Sequence, residues 1–219
     1  MFTGLGHNGG MTPVSHVDVR ALSPEEAKTA WRAAVRKHRS ERSDRRLAEH
    51  AAALRDHLVA LPEVSGAACA SVYASRRFEP GTMPLIEELD ARGIRVLVPL
   101  LGDGLQRGWA HFVAADDVVE RAPGRPPEPS GEFLPQEALA AADVVIVPAL
   151  AADTSGTRLG QGGGWYDRAL MDARPGAPII ALVFDDEFHD ADVKAIPREP
   201  HDLPVSIVVT PSGVHRIGA

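Results

Sequence analysis

Residues 158–168 read Arg-Leu-Gly-Gln-Gly-Gly-Gly-Trp-Tyr-Asp-Arg, which brings cations, exposed main-chain amides and a carboxylate to one turn. Gly160, Gly162, Gly163 and Gly164 lack the side chains that would keep a ligand away from the backbone, so the amides of this segment can approach an anion closely. A strand is expected before the loop and a helix directly after it, and the positive end of that helix would add to the attraction. The chemistry favoured is phosphate binding, with Arg158 entering the turn and Tyr166 and Asp167 leaving it. The spacing departs from two common phosphate loops. A Walker A loop needs a lysine and a hydroxyl after its last glycine, and a dinucleotide fingerprint needs a third glycine where Trp165 stands. Glycine content alone leaves a ligand-binding turn and a flexible structural turn equally open.

Other residues of chemical interest are scattered. Lys28, Arg32 and Arg36 recur every four residues on an expected helix, and spacing by itself favours a solvated basic face. Glu79 lies in a loop after an expected strand, where ligands of parallel sheets collect. The stretch holding Asp185, Asp186, Glu187, His189, Asp190 and Asp192 is read as a solvated loop in preference to a metal site, because clustering in sequence imposes no coordination geometry. His50, His57 and His111 lack ligand-like spacing and are assigned packing or surface roles. Cys69 is the only cysteine, which excludes an intramolecular disulfide; a buried structural thiol is expected.

The elements that must position these residues emerge from pattern. The chain of 219 residues can bury a sizeable core, and its net charge of -7 argues against a general nucleic-acid surface. No apolar run reaches membrane-spanning length, so no membrane partner and a cytoplasmic location are expected. Residues 1–22 are expected to form a flexible leader and 23–219 a single domain. Ser23, Pro24 and Glu26 predict a capped helix start, and Ala27, Trp31, Ala34 and Val35 give a helix over 24–38 its buried face. A second helix over 43–61 buries Leu47, Ala51, Leu54 and Leu58 until Pro62 stops it. A strand at 67–73, a helix capped by Thr82 and closed by Gly93, and a strand at 94–99 make a parallel crossover. Two short strands within 102–113, a proline-rich loop at 121–135 that covers a cleft or crosses the surface, and a helix at 135–141 lead to the most apolar strand, 143–148. A helix at 165–173, a strand at 178–184 and a last strand at 205–210 complete the pattern. The fold class is α/β: one layered sheet, mostly parallel or mixed, with helices on both faces.

Residues 158–167, preceded by Val147-Pro148 and Asp153, resemble the signature of the 5-formyltetrahydrofolate cyclo-ligase (5,10-methenyltetrahydrofolate synthetase) family. Lys28-Thr29-Ala30-Trp31-Arg32, Glu79-Pro80-Gly81-Thr82, Glu128-Pro129 and His201-Asp202 are family-like pieces in the right order, so the similarity spans 28–210. The resemblance implies an enzyme that uses ATP and Mg²⁺ to close 5-formyltetrahydrofolate into the 5,10-methenyl form. It implies Lys28 and Arg32 as a clamp on nucleotide phosphates, and Arg158 with the backbone of Gly160, Gln161, Gly162, Gly163 and Gly164 at the triphosphate. Asp167 and Asp202 would bind Mg²⁺. Glu79, Trp165 and Tyr166 would meet the folate, the two aromatic residues also reaching the nucleotide, and Arg158, Tyr166 and Asp167 would be catalytic. The chain departs from the family pattern at Gly163, often lysine, and at Trp165, often tyrosine. The alternatives are a non-catalytic folate- or nucleotide-binding paralogue and an ATP-dependent enzyme acting on another amide-like substrate. A monomer or weak homodimer is expected.

Overall fold

In the computed structural model, residues 23–102, 106–199 and 203–218 are described. The expected leader, 1–22, and the predicted magnesium ligand Asp202 lie outside them. At Ser23 the predicted capping box forms: the serine hydroxyl accepts from the Glu26 amide, and the Glu26 carboxylate accepts from the Ser23 amide at 2.8 Å. Helix α1 (Pro24–Ser40) comes next, then α2 (Asp44–Ala60), which Pro62 ends before a further turn of helix, α3 (Pro62–Ser65).

The sheet strands are β1 (Cys69–Val72), β2 (Arg95–Leu101), β3 (Arg107–His111), β4 (Leu134–Pro135) and β5 (Val144–Pro148). After β5 the chain makes β6 (Ala151–Asp153) and β7 (Arg158–Leu159), then returns for β8 (Ile179–Leu182), β9 (Phe188–His189), β10 (Ile207–Thr210) and β11 (Gly213–Arg216). Among the described residues the main sheet has the order β11-β10-β8-β5-β1-β2-β3-β4, while β7-β6-β9 form a small second sheet. The central pairings are parallel, in register Ala70 with Val144 and Ile146 with Ile180, and the edge pairings of β3 and β11 are antiparallel. The sheet is therefore mixed, as one of the two expected arrangements. β10 runs parallel to β8, and the antiparallel edge is β11, a hairpin return beyond the strand expected to be last.

Both faces of the sheet are buried, which is why β5 reads as a continuous apolar run. Val144 and Ile146 point into one core with Leu54 and Leu58 of α2 and with Leu85, Ile86 and Leu89 of α4 (Met83–Ala91). Val145 and Val147 point into the other with Leu139, Leu170 and the buried Cys69. Residues 136–141, predicted as an α-helix, form a 3-10 helix on this second face. Helix α1 joins neither main core. Its Trp31 and Val35 pack on Leu150, Ala151 and Leu159, so α1 docks on the small sheet that carries the glycine loop.

Two local expectations are corrected. Thr82 stands at the N-cap of α4 without capping it; its hydroxyl donates to the Tyr73 carbonyl at 2.6 Å and accepts from the Ser75 amide at 3.1 Å, tying the loop after β1 to the strand end. Within the acidic stretch expected to be a solvated loop, Asp185, Asp190 and Asp192 are exposed, but Asp186 and Glu187 form a clasp on α1. Glu187 is wholly buried and accepts from Arg39 at 2.7 and 2.9 Å, and Asp186 meets His38 at 2.7 Å and Arg42 at 2.6 Å. His50 lies against Phe184 beside this cluster, and His57 meets the Pro211 carbonyl at 3.2 Å. Among the described residues no helix is long and apolar enough to cross a membrane.

Candidate active site

The parallel strands β1 and β5 end at one edge of the sheet, and the segments that leave them build a cleft of about 420 Å³. The chain after β1 contributes Tyr73, Ala74, Arg76 and Glu79; the chain after β5 turns through the small sheet and delivers Arg158 and the glycine loop. A site beyond the carboxyl ends of parallel strands is where the topology leaves loops free to converge.

Docking of α1 on the small sheet decides the electrostatics. With Trp31 and Val35 buried, the stripe one position on, Lys28, Arg32 and Arg36, is rotated by about a hundred degrees and meets the glycine loop. Arg32 Nε donates to the Gly160 carbonyl at 3.1 Å, and Arg36 donates to the Gln161 carbonyl and side-chain oxygen, both at 2.9 Å. Lys28 is 5% exposed and its ammonium lies 2.6 Å from Glu199. The solvated basic face favoured by spacing is thus a face turned toward the loop, because helical periodicity says which residues share a stripe and not what the stripe faces. Glu199 as partner of Lys28 carries no signal in the sequence.

Within the loop the glycines have separate reasons. Gly162 has φ +99°, and a Cβ there would come within 3.3 Å of the Arg32 guanidinium carbon. Gly164 has φ +60° and begins α5 (Trp165–Ala169). Gly163 has open space on its Cβ side. The helix after the loop is much shorter than the 165–173 expected, since 170–172 form a 3-10 turn, so its dipole is small and adds little positive potential at the loop.

Arg158 is buried and donates to the Leu203 carbonyl at 2.8 Å and to Asp167 Oδ1 at 2.5 Å. Asp167 therefore enters the cleft as the partner of a cation. Trp165 stacks edge-on against Trp109 and Tyr166, with centroids 5.1 and 4.7 Å apart. The Tyr166 hydroxyl is buried in the cleft wall without a hydrogen-bond partner among the described residues. Burial, with the Glu79 carboxylate adding to it, pushes its pKa well above the ordinary tyrosine value, so it stays an O–H donor. An orphaned donor of this kind needs an acceptor from a ligand or water.

Glu79 accepts from the Arg76 amide and from the Gln161 side-chain amide, both at 2.8 Å. The residue before it, Phe78, has φ +68°, a left-handed conformation that costs a bulky residue about 1–2 kcal/mol. The proline-rich loop, expected either to cover a cleft or to cross the surface, supplies Pro126, Pro127 and Glu128 to the cleft wall. Of the residues predicted from sequence, Lys28, Arg32, Glu79, Arg158, the loop 160–164, Trp165, Tyr166 and Asp167 all converge on this cleft. Among the described residues no three His, Cys, Asp or Glu side chains come together as a metal site.

Comparison with known proteins gives this arrangement a family. A family model described as the 5-formyltetrahydrofolate cyclo-ligase family matches residues 24–211. The chain is 40% identical over 166 residues to a 5-formyltetrahydrofolate cyclo-ligase of Mycolicibacterium smegmatis, covering 74% of this chain and 81% of the relative. It is 34% identical over 162 residues to the Escherichia coli K12 protein of the same name, covering 72% and 85%. Among solved structures, the fold is similar to the 5,10-methenyltetrahydrofolate synthetase of Aquifex aeolicus, with a TM-score of 0.72 at 23% identity over 88% of this chain and 93% of that one. It is also similar to the synthetase of Mycoplasma pneumoniae, with a TM-score of 0.63 at 17% identity over 83% and 97%. The fold, the converging motifs and the extent of these matches lead to one assignment: the chain belongs to the 5-formyltetrahydrofolate cyclo-ligase family, a family of ligases.

Proposed function

We propose that the protein converts 5-formyltetrahydrofolate to 5,10-methenyltetrahydrofolate at the expense of ATP, through a phosphorylated formyl intermediate, with ADP and phosphate released. The observation that carries this reading is that one cleft joins a cationic, glycine-lined end to an apolar wall bearing the unpartnered Tyr166 hydroxyl and the Glu79 carboxylate. A triphosphate suits the first and a partly reduced heterocycle the second.

The chemistry explains why both are needed. The oxygen of a formyl group carried on N5 is a poor leaving group after attack by N10 on the formyl carbon. Its oxygen takes the γ-phosphoryl group, N10 then bonds to the formyl carbon and loses its proton, and the C–O bond breaks with departure of phosphate. The protein's task is positioning and charge neutralisation, with no covalent nucleophile required. Arg32, Arg158 and the amides of residues 160–164 hold the phosphates, and Lys28 exchanges the Glu199 carboxylate for a phosphate oxygen. Tyr166 donates to the formyl oxygen, and Glu79 faces the folate ring with Trp165 behind it.

Magnesium fits this donor set in a limited way. The ion is commonly held by one or two carboxylates, substrate phosphates and water, and Asp167 is the carboxylate beside Arg158 that can serve it. When bound, the ion neutralises phosphate charge. The reading is tested by incubating the protein with 5-formyltetrahydrofolate and MgATP and following the methenyl absorbance. Appearance of product only when ATP is present supports it, and product without ATP, or binding of both ligands without turnover, refutes it.

A further inference from the structure

Glu128 is a buried carboxylate in the cleft wall that the proposed reaction leaves without a task. It is 2% exposed, and its backbone is pinned by reciprocal hydrogen bonds with Val119 at 3.0 and 3.3 Å and by Arg121 Nε donating to its carbonyl at 3.2 Å. The side chain accepts from the Leu101 amide through Oε2 at 3.0 Å, while Oε1 has Arg125 at 3.5 Å, the outer limit of a hydrogen bond. An ionised carboxylate offers about four acceptor sites, so capacity remains. Burying one beside Pro126 and Pro127 is costly unless that capacity is used.

The complement of such a group is a planar edge with two parallel N–H donors, which a carboxylate receives side by side. This distinguishes the two heterocycles the reaction brings together. The adenine edge sets an amino donor beside a ring-nitrogen acceptor, and the acceptor meets a carboxylate with repulsion. The pterin edge sets an amino group beside a ring N–H, and both are donors. We infer that Glu128 is a specificity-determining residue that accepts from the 2-amino group and adjacent ring N–H of the pterin, with Pro126 and Pro127 against the ring. The inference rests on the folate reading proposed for this cleft.

Calorimetric titration of the wild-type protein and of Glu128→Gln, each with 5-formyltetrahydrofolate and with its 2-desamino analogue, tests it. Glutamine keeps an acceptor for the Leu101 amide, so the thermal midpoint and ATP affinity should stay unchanged. On the wild type, loss of the amino group should weaken binding about 10- to 100-fold, the range of a hydrogen bond to a charged group. On Glu128→Gln the parent ligand should weaken by a similar factor and the amino group should cease to matter. Equal binding of the two ligands by the wild type, or undiminished discrimination by the variant, would overturn the inference. If Glu128→Gln does not fold, the wild-type comparison alone decides. Folate turnover without discrimination at the amino group defeats this inference only, whereas a wild type that binds no folate defeats the proposed function with it.

Discussion

Gln161 donates its side-chain amide to Glu79 at 2.8 Å, so the glycine loop and the loop after β1 are joined although they are 82 residues apart in sequence. Arg36 holds the other side of the same glutamine, which makes α1, the glycine loop and the Glu79 loop one connected unit. The proposed nucleotide and folate sides of the cleft are thereby positioned by the same contacts.

Glu79→Gln is expected to lower kcat/KM for the folate by about a hundredfold while ATP affinity changes by less than about threefold. Steady-state kinetics with each substrate varied, together with ATP titration calorimetry, checks the split. A loss confined to ATP binding would move Glu79 to the nucleotide side.

Arg32→Ala removes a guanidinium that lies against Gly160 and Gly162. ATP binding should weaken about 10- to 100-fold, as for loss of one charge-assisted hydrogen bond, with folate affinity nearly unchanged. Titration of the two ligands separately reads this directly.

The loop glycines should respond unequally. Gly163→Lys enters open space and adds a cation beside the proposed phosphate site, so ATP affinity should rise with stability preserved. Gly162→Ala is placed at φ +99° against Arg32, and should cost about 1–2 kcal/mol in stability or local order. Thermal melts and ATP titrations of both variants separate the two effects.

Arg39→Ala leaves Glu187 charged and wholly buried, and should destabilise the fold by about 3–5 kcal/mol. Removing the exposed partner in the Arg45–Glu49 pair should cost less than about 0.5 kcal/mol. Denaturant unfolding of the two variants provides the comparison, and similar losses would mean the clasp on α1 is not the stabilising one.

Stability should also fall in mildly acidic solution. Burial holds the pKa of His50 and His189 below the ordinary 6.5, with Arg46 adding to the shift at His50 and Lys194 at His189. Because the unfolded chain takes up these protons first, the contribution is complete above pH 6.5 and is lost as pH falls through the folded-state values. Melting temperature followed downward from neutrality should decline in this range, and His189→Gln should reduce the decline.

Local pattern determines the part of the structure that is legible in the sequence. The capping box at Ser23, the buried apolar strand through Val144 to Val147 and the glycine loop leading into a helix depend on neighbours in the chain, and all are found as expected. Partner choice over long separations is not legible. Nothing local says that Arg39 will meet Glu187, that Lys28 will meet Glu199, or that Arg36 will hold Gln161. Periodicity likewise defines the stripe on α1 but assigns it to solvent, because the surface it faces is built by β6 and β7 more than a hundred residues later. The hairpin return to β11 and the early end of α5 escape sequence reading for a related reason: a short edge strand and a five-residue helix have too few residues to show a period.

The central claim is that the formyl oxygen leaves as part of the phosphate. Its most direct test is turnover of 5-formyltetrahydrofolate labelled with ¹⁸O in the formyl group, in the presence of MgATP, with mass analysis of the phosphate released. One phosphate for each methenyl product, carrying the label, is the expected result; unlabelled phosphate, or product formed without ATP, would contradict the claim.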